Sequence, residues 1–137
     1  VKVYKVLRKT KSGHLVSYAT REDGEVHYFE NVWARAPECL RGDGYHLLAF
    51  LNEDRAREFM LGGGMWVGRD DCVEMWLADA RKMILTLPRM HFSTQVRDWR
   101  MRRKKNGWFE ASEDAGAWPD GTAMVEEIRI VERLLWR

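Results

Sequence analysis

Between residues 45 and 51 the apolar positions alternate without leaving a polar side. Tyr45, Leu47, Ala49 and Leu51 fall on one face of an extended chain, Leu48 and Phe50 on the other. A strand covered on both faces belongs inside a sheet. Asn52 then offers a capping oxygen, and Glu53 and Asp54 place negative charge where a helix dipole is positive. Ala56, Phe59 and Met60 recur at i, i+3 and i+4, so the pattern predicts a helix whose apolar stripe lies over that strand. Gly62, Gly63 and Gly64 end it, since each glycine costs a helix about 1 kcal/mol relative to alanine.

The remaining pattern is mostly extended. Residues 1–9 (VKVYKVLRK) interleave β-branched or aromatic residues with basic ones and read as a strand. Turn signals at Lys11-Ser12-Gly13 and Asp23-Gly24 bracket a second strand at 14–19 and lead to a third at 26–29, an antiparallel meander with one wet face. Residues 31–44 contain Pro37 and Gly42 and read as a loop whose Trp33 closes over the core. Residues 71–78 read as a strand. Residues 81–87 either continue it or turn into a helix, and Pro88 ends either. Phe92, Val96 and Trp99 recur at helical spacing after Ser93, predicting a helix over 94–105 that stops at Asn106-Gly107. Residues 110–122 form an acidic, turn-rich loop. The last stretch, 124–135, fits both periodicities; the β-branched cluster at Ile128, Ile130 and Val131 favours a strand. The sum is one α+β domain over 1–137, a mainly antiparallel sheet of about five strands with two helices packed on it.

Composition adds limits. A chain of 137 residues with 45% hydrophobic and 32% charged residues has the balance of a folded soluble domain. Its longest unbroken apolar run, 47–51, is far short of the ~20 residues of a bilayer span, so no membrane partner is expected. No secretory leader is legible at the start, and the absent initiator Met is what a trimmed start would leave. Cys39 and Cys72 form no CxxC and are expected as buried thiols in a reducing, cytoplasmic setting.

Charge is uneven. The net +2 conceals a local +5 over 97–105, from Arg97, Arg100, Arg102, Arg103, Lys104 and Lys105 against Asp98, which leaves the rest at −3. Cations this dense suit a phosphate backbone, with Trp99 or Trp108 to stack on a base, so these six and Trp108 are the candidate nucleic-acid-binding residues. The competing reading is dipole-favoured cations neutralised by the acidic 110–120 loop. Other chemistry is thin. His14, His27, His46 and His91 include no HExxH or finger spacing, and no metal or other cofactor is expected. His46 reads as a packed, hydrogen-bonded strand residue. Gly62-Gly63-Gly64 follows a helix instead of opening one, which is not phosphate-loop order. The seven tryptophans are scattered and read as core or its cover.

Two resemblances bear on function. VYKVLR at 3–8, GYHLLAFLNEDRAREF at 44–59 and WPDGTAMVEEIRI at 118–130 resemble a family of small uncharacterised prokaryotic and viral α+β proteins, with no activity implied. The segment 44–59 is also similar to the part of ADP-ribosyltransferases after their second motif. That likeness implies an NAD-using enzyme in which Arg8 stands for the first-strand arginine and Glu127 for the catalytic glutamate. The chain departs from the pattern in having no His-Gly-Thr, no Ser-Thr-Ser and, in Glu126-Glu127, no Glu-x-Glu. The expectation is a non-enzymatic module contacting nucleic acid or an acidic protein through 97–105. The alternatives are the transferase and an assembly protein pairing with its own copy through the edge of the first hairpin.

Overall fold

The computed structural model describes residues 1–18, 24–42, 44–62, 72–84, 90–91, 115–116 and 121–135. In chain order the elements are β1 (Lys2–Lys9), β2 (Leu15–Ser17), β3 (His27–Tyr28), β4 (Trp33–Arg35), α1 (Glu38–Arg41), β5 (Leu47–Phe50), α2 (Glu53–Gly62), β6 (Cys72–Ile84), β7 (Met90–His91), β8 (Ala115–Gly116) and β9 (Thr122–Leu134). The fold is mixed but dominated by one antiparallel sheet.

Two long strands build it. β6 and β9 have thirteen residues each and pair from Met75↔Leu134 to Ile84↔Met124, with a bulge at Leu77/Ala78. β1 lies along the other edge of β6, in register from Lys2↔Asp79 to Lys9↔Cys72. The free edges of β1 and β9 are then both shared. β5 is wedged between them, pairing Tyr4↔Phe50 on one side and Leu47↔Val125 to Phe50↔Thr122 on the other, which closes β1, β6, β9 and β5 into a ring. At the opposite end β1 takes β2 (Leu7↔Ser17 to Lys9↔Leu15), and β2 takes β3. The Asn31 N–H donates to the Ile130 carbonyl at 2.8 Å and hands the chain to β4, which pairs with β9 from Trp33↔Arg129 to Arg35↔Glu127. The result is a small barrel, and closure leaves few unpaired strand edges.

Its interior holds Val3, Leu7, Tyr28, Leu47, Ala49, Trp76, Ala78, Ala80, Met124, Ile128 and Ile130. Outside, α2 covers a second cluster of Val6, Tyr18, Phe50, Ala56 and Met75, with Phe59 and Met60 packed against it. β1 is therefore buried on both faces. Asn52 caps α2 as its sequence predicts, Oδ1 accepting from the N–H groups of Asp54 (2.7 Å) and Arg55 (3.3 Å).

Several expectations need correction. The main sheet has seven strands instead of about five, and β7 and β8 form a separate pair. Residues 31–44 are not a loop throughout, for they contain β4 and α1. Trp33 does not close over the core. It is half-buried on the outer surface, with the Arg81 guanidinium 3.6 Å and that of Arg129 4.9 Å from its ring centre. β6 runs through residue 84 without turning into a helix, and β9 is a strand. Cys72 is exposed and Cys39 half-buried, so they are not two buried thiols. The 94–105 helix lies outside the described residues.

Gly121 marks the entry to β9. Its φ of +80° is left-handed, its carbonyl accepts from the Leu51 N–H at 2.9 Å, and an added Cβ would sit 3.0 Å from Cγ and 3.1 Å from Cβ of Arg55. Gly121→Ala is expected to lower stability by about 1–3 kcal/mol, a left-handed penalty plus displacement of Arg55. Urea unfolding checks this, with a lower midpoint at unchanged slope.

Candidate functional site

The binding residues expected from sequence, Arg97, Arg100, Arg102, Arg103, Lys104, Lys105 and Trp108, lie outside the described residues. Among the described residues, the charge of the barrel is largely paired internally. Asp79 accepts from Lys2 (2.7 Å) and Arg129 (2.8 Å). Glu74 lies between Arg133 (3.4 Å) and Lys9 (3.8 Å), and Glu127 between Arg35 (3.3 Å) and Arg81 (3.8 Å). Glu126 faces Lys82 at 3.7 Å, and Glu25 holds Arg8 at 2.5 Å. The hydrogen bonds from Arg129 and Lys2 pull the Asp79 carboxyl down to about 2.

Arg8 and Glu127 are not brought together. Arg8 stands opposite Val73 and Glu127 opposite Arg81, eight residues apart along β6, or roughly 26 Å of strand. Each is engaged by a different partner, and no common cleft joins them among the described residues. The outer edge of the first hairpin, β2, is taken by β3 at Leu15↔Tyr28 and Val16↔His27, and β3 is itself only two residues long, a short template for strand pairing.

A polar group missed by the sequence reading lies inside the barrel. Lys5 sits on the inward face of β1 between Val3 and Leu7 and is only 8% exposed. Its ammonium donates to the Leu48 carbonyl of β5 and lies 5.5 Å from the centre of the Tyr28 ring. No carboxylate pairs with it among the described residues. Burial therefore lowers its pKa to about 7. The Tyr28 hydroxyl is buried with no hydrogen-bond partner among the described residues, and burial holds it protonated well above the usual phenol range. His46 was expected to be hydrogen-bonded, yet its buried Nδ1 has no partner there either.

Tyr28 also belongs to the wall of a surface cavity of about 340 Å³. Ser12, Gly13, His14 and Leu15 line one side of it, His27, Phe29 and Glu30 the other. The His14 and His27 rings meet edge to face, 6.1 Å between centres, and His27 Nε2 lies 3.3 Å from Glu25. No group of three metal-ligating side chains is present among the described residues, and no helix there is long and apolar enough to cross a membrane. No family model, curated protein or solved structure matches the chain.

Proposed function

We propose that the protein is a non-enzymatic binding module that contacts nucleic acid through the cationic segment 97–105. The observation that supports this is the pairing of charge on the barrel. Its half-buried carboxylates Glu74, Asp79 and Glu127 each hold two barrel cations already, so they are poorly placed to neutralise a further +5. A phosphate backbone supplies charge at the required density, and Trp99 and Trp108 supply rings on which a base can stack.

The test is a salt titration of binding to single-stranded and duplex oligonucleotides. If all six cations meet phosphates, log K against log salt should have a slope of about −4 on single strands, and replacing Arg100, Arg102 and Arg103 by alanine should reduce it by about 2. Absence of binding at low salt, or a slope unmoved by the triple substitution, rejects nucleic acid. Retained binding of an acidic protein that the triple substitution abolishes would assign the segment to a protein partner instead.

A further inference from the structure

A lysine inside an apolar barrel is an unusual choice if its only task is to cap one carbonyl. Residues on either side of Lys5 on the same face, Val3 and Leu7, are fully buried, and the surrounding side chains are apolar or aromatic. An amine without a carboxylate partner in such surroundings gives up its proton at ordinary pH, and its lone pair becomes available. Tyr28, whose ring faces the amine at 5.5 Å, is part of the wall of the 340 Å³ cavity. The two sites thus share one residue, and displacement of the Tyr28 ring is the movement that access from the cavity to the amine requires.

We propose that Lys5 is a nucleophilic amine that captures a small, uncharged aldehyde or ketone entering through the cavity beside Tyr28. The Nζ lone pair forms a C–N bond to the carbonyl carbon while one of the amine's protons passes to the carbonyl oxygen, giving a neutral carbinolamine. Loss of that oxygen as water, with loss of one proton from nitrogen, leaves an imine, and no oxidant or reductant is consumed. The cavity chemistry sets the substrate class. Leu15, His14, His27 and Phe29 offer flat and apolar surface, whereas Glu30 opposes an anionic substituent. The assignment is independent of the nucleic-acid reading, because Lys5 lies on β1 inside the barrel and outside 97–105.

The full-length chain is treated at several pH values with benzaldehyde and sodium cyanoborohydride, which reduces the imine to a stable amine. Intact mass and peptide mapping then locate the label. At pH 7 a lysine near pKa 7 is half neutral, against about one in 2,500 for an ordinary lysine. Lower intrinsic basicity and the cost of moving Tyr28 offset part of that advantage. Lys5 is expected to be labelled at least tenfold ahead of Lys2, Lys9, Lys11 and Lys82, the α-amino group being scored separately. Its rate should level off above pH 7, while the exposed lysines continue to accelerate toward pH 10. Lys5→Arg should abolish the fast adduct in a chain whose circular dichroism is unchanged, and Tyr28→Phe should retain it. Label confined to the exposed lysines, or reaching Lys5 only in urea, would overturn the assignment and identify Lys5 as a sealed structural cap.

Discussion

Ile128→Ala should destabilise the protein by about 3–4 kcal/mol, the upper part of the range for such truncations in a closed core. Ile128 has no exposed surface and faces the barrel interior from β9. Its cross-strand neighbours are Ala34 on β4 and Ala80 on β6. Neither has a side chain long enough to lean into the space that a truncated residue would leave. The hole would be lined by strands hydrogen-bonded on both edges of β9, which restricts collapse, so a large part of the cavity term should survive. The exposed Arg55–Glu58 pair on α2 is the contrasting case, where removing Glu58 should cost only tenths of a kcal/mol. Urea unfolding separates the two cases: the Ile128→Ala midpoint should drop sharply at constant slope. A loss below 1 kcal/mol would mean that β9 is not clamped where the register puts it.

That position was legible from the sequence, but the reason for its importance was not. The β-branched cluster at Ile128, Ile130 and Val131 identified a strand. The doubly apolar run 45–51 nevertheless drew attention to β5 as the centre of the sheet, and β5 proves to be a four-residue wedge with a single paired position on β1. The centre is the β6–β9 ladder. Its length was concealed because Arg81, Lys82 and Met83 interrupt the apolar alternation; all three are exposed, and the pairing with β9 resumes at Met83 after Lys82 turns left-handed at φ +57°. Tertiary hydrogen bonding decided what local pattern could not. Trp33 was misplaced for a related reason. An indole can be covered by two guanidinium groups as well as by a core, and the arginines that cover it come from β6 and β9, distant in sequence.

The buried amine was readable with a stricter count. In VKVYKVLRK the basic residues Lys2, Lys5 and Arg8 recur every third position, and strand faces alternate every second. Three basic residues at that spacing cannot share a face. Lys5 therefore had to fall with Val3 and Leu7, opposite Lys2 and Arg8, whichever face was the inner one. The sequence could not show that Leu48 would present a carbonyl there, or that Tyr28 would cover the amine. Both depend on β5 pairing with β1 on one side and on β3 being brought in through β2 on the other.

The stability curves of the wild type and Lys5→Met should cross between neutral and alkaline pH. The native chain holds the Lys5 pKa near 7, below its unfolded value of about 10.4, so between these limits the unfolded state binds more protons. Wild-type stability should consequently rise as pH increases from 7 to about 10, at up to about 1.4 kcal/mol per unit from this group. Below pH 7 the penalty for holding a charged amine in the barrel is present in full. Methionine fills a similar volume with no charge, but leaves the Leu48 carbonyl without its donor at a cost of about 1–3 kcal/mol. Lys5→Met is therefore expected to be the more stable form at pH 6 and the less stable at pH 10. Tyr28, protonated in the native state, lowers stability above pH 10 in both forms and cancels in their difference. Urea midpoints measured at pH 6, 8 and 10 decide the matter. Parallel curves would show that the Lys5 amine keeps its hydration in the native chain, and its proposed reactivity would lose its physical basis.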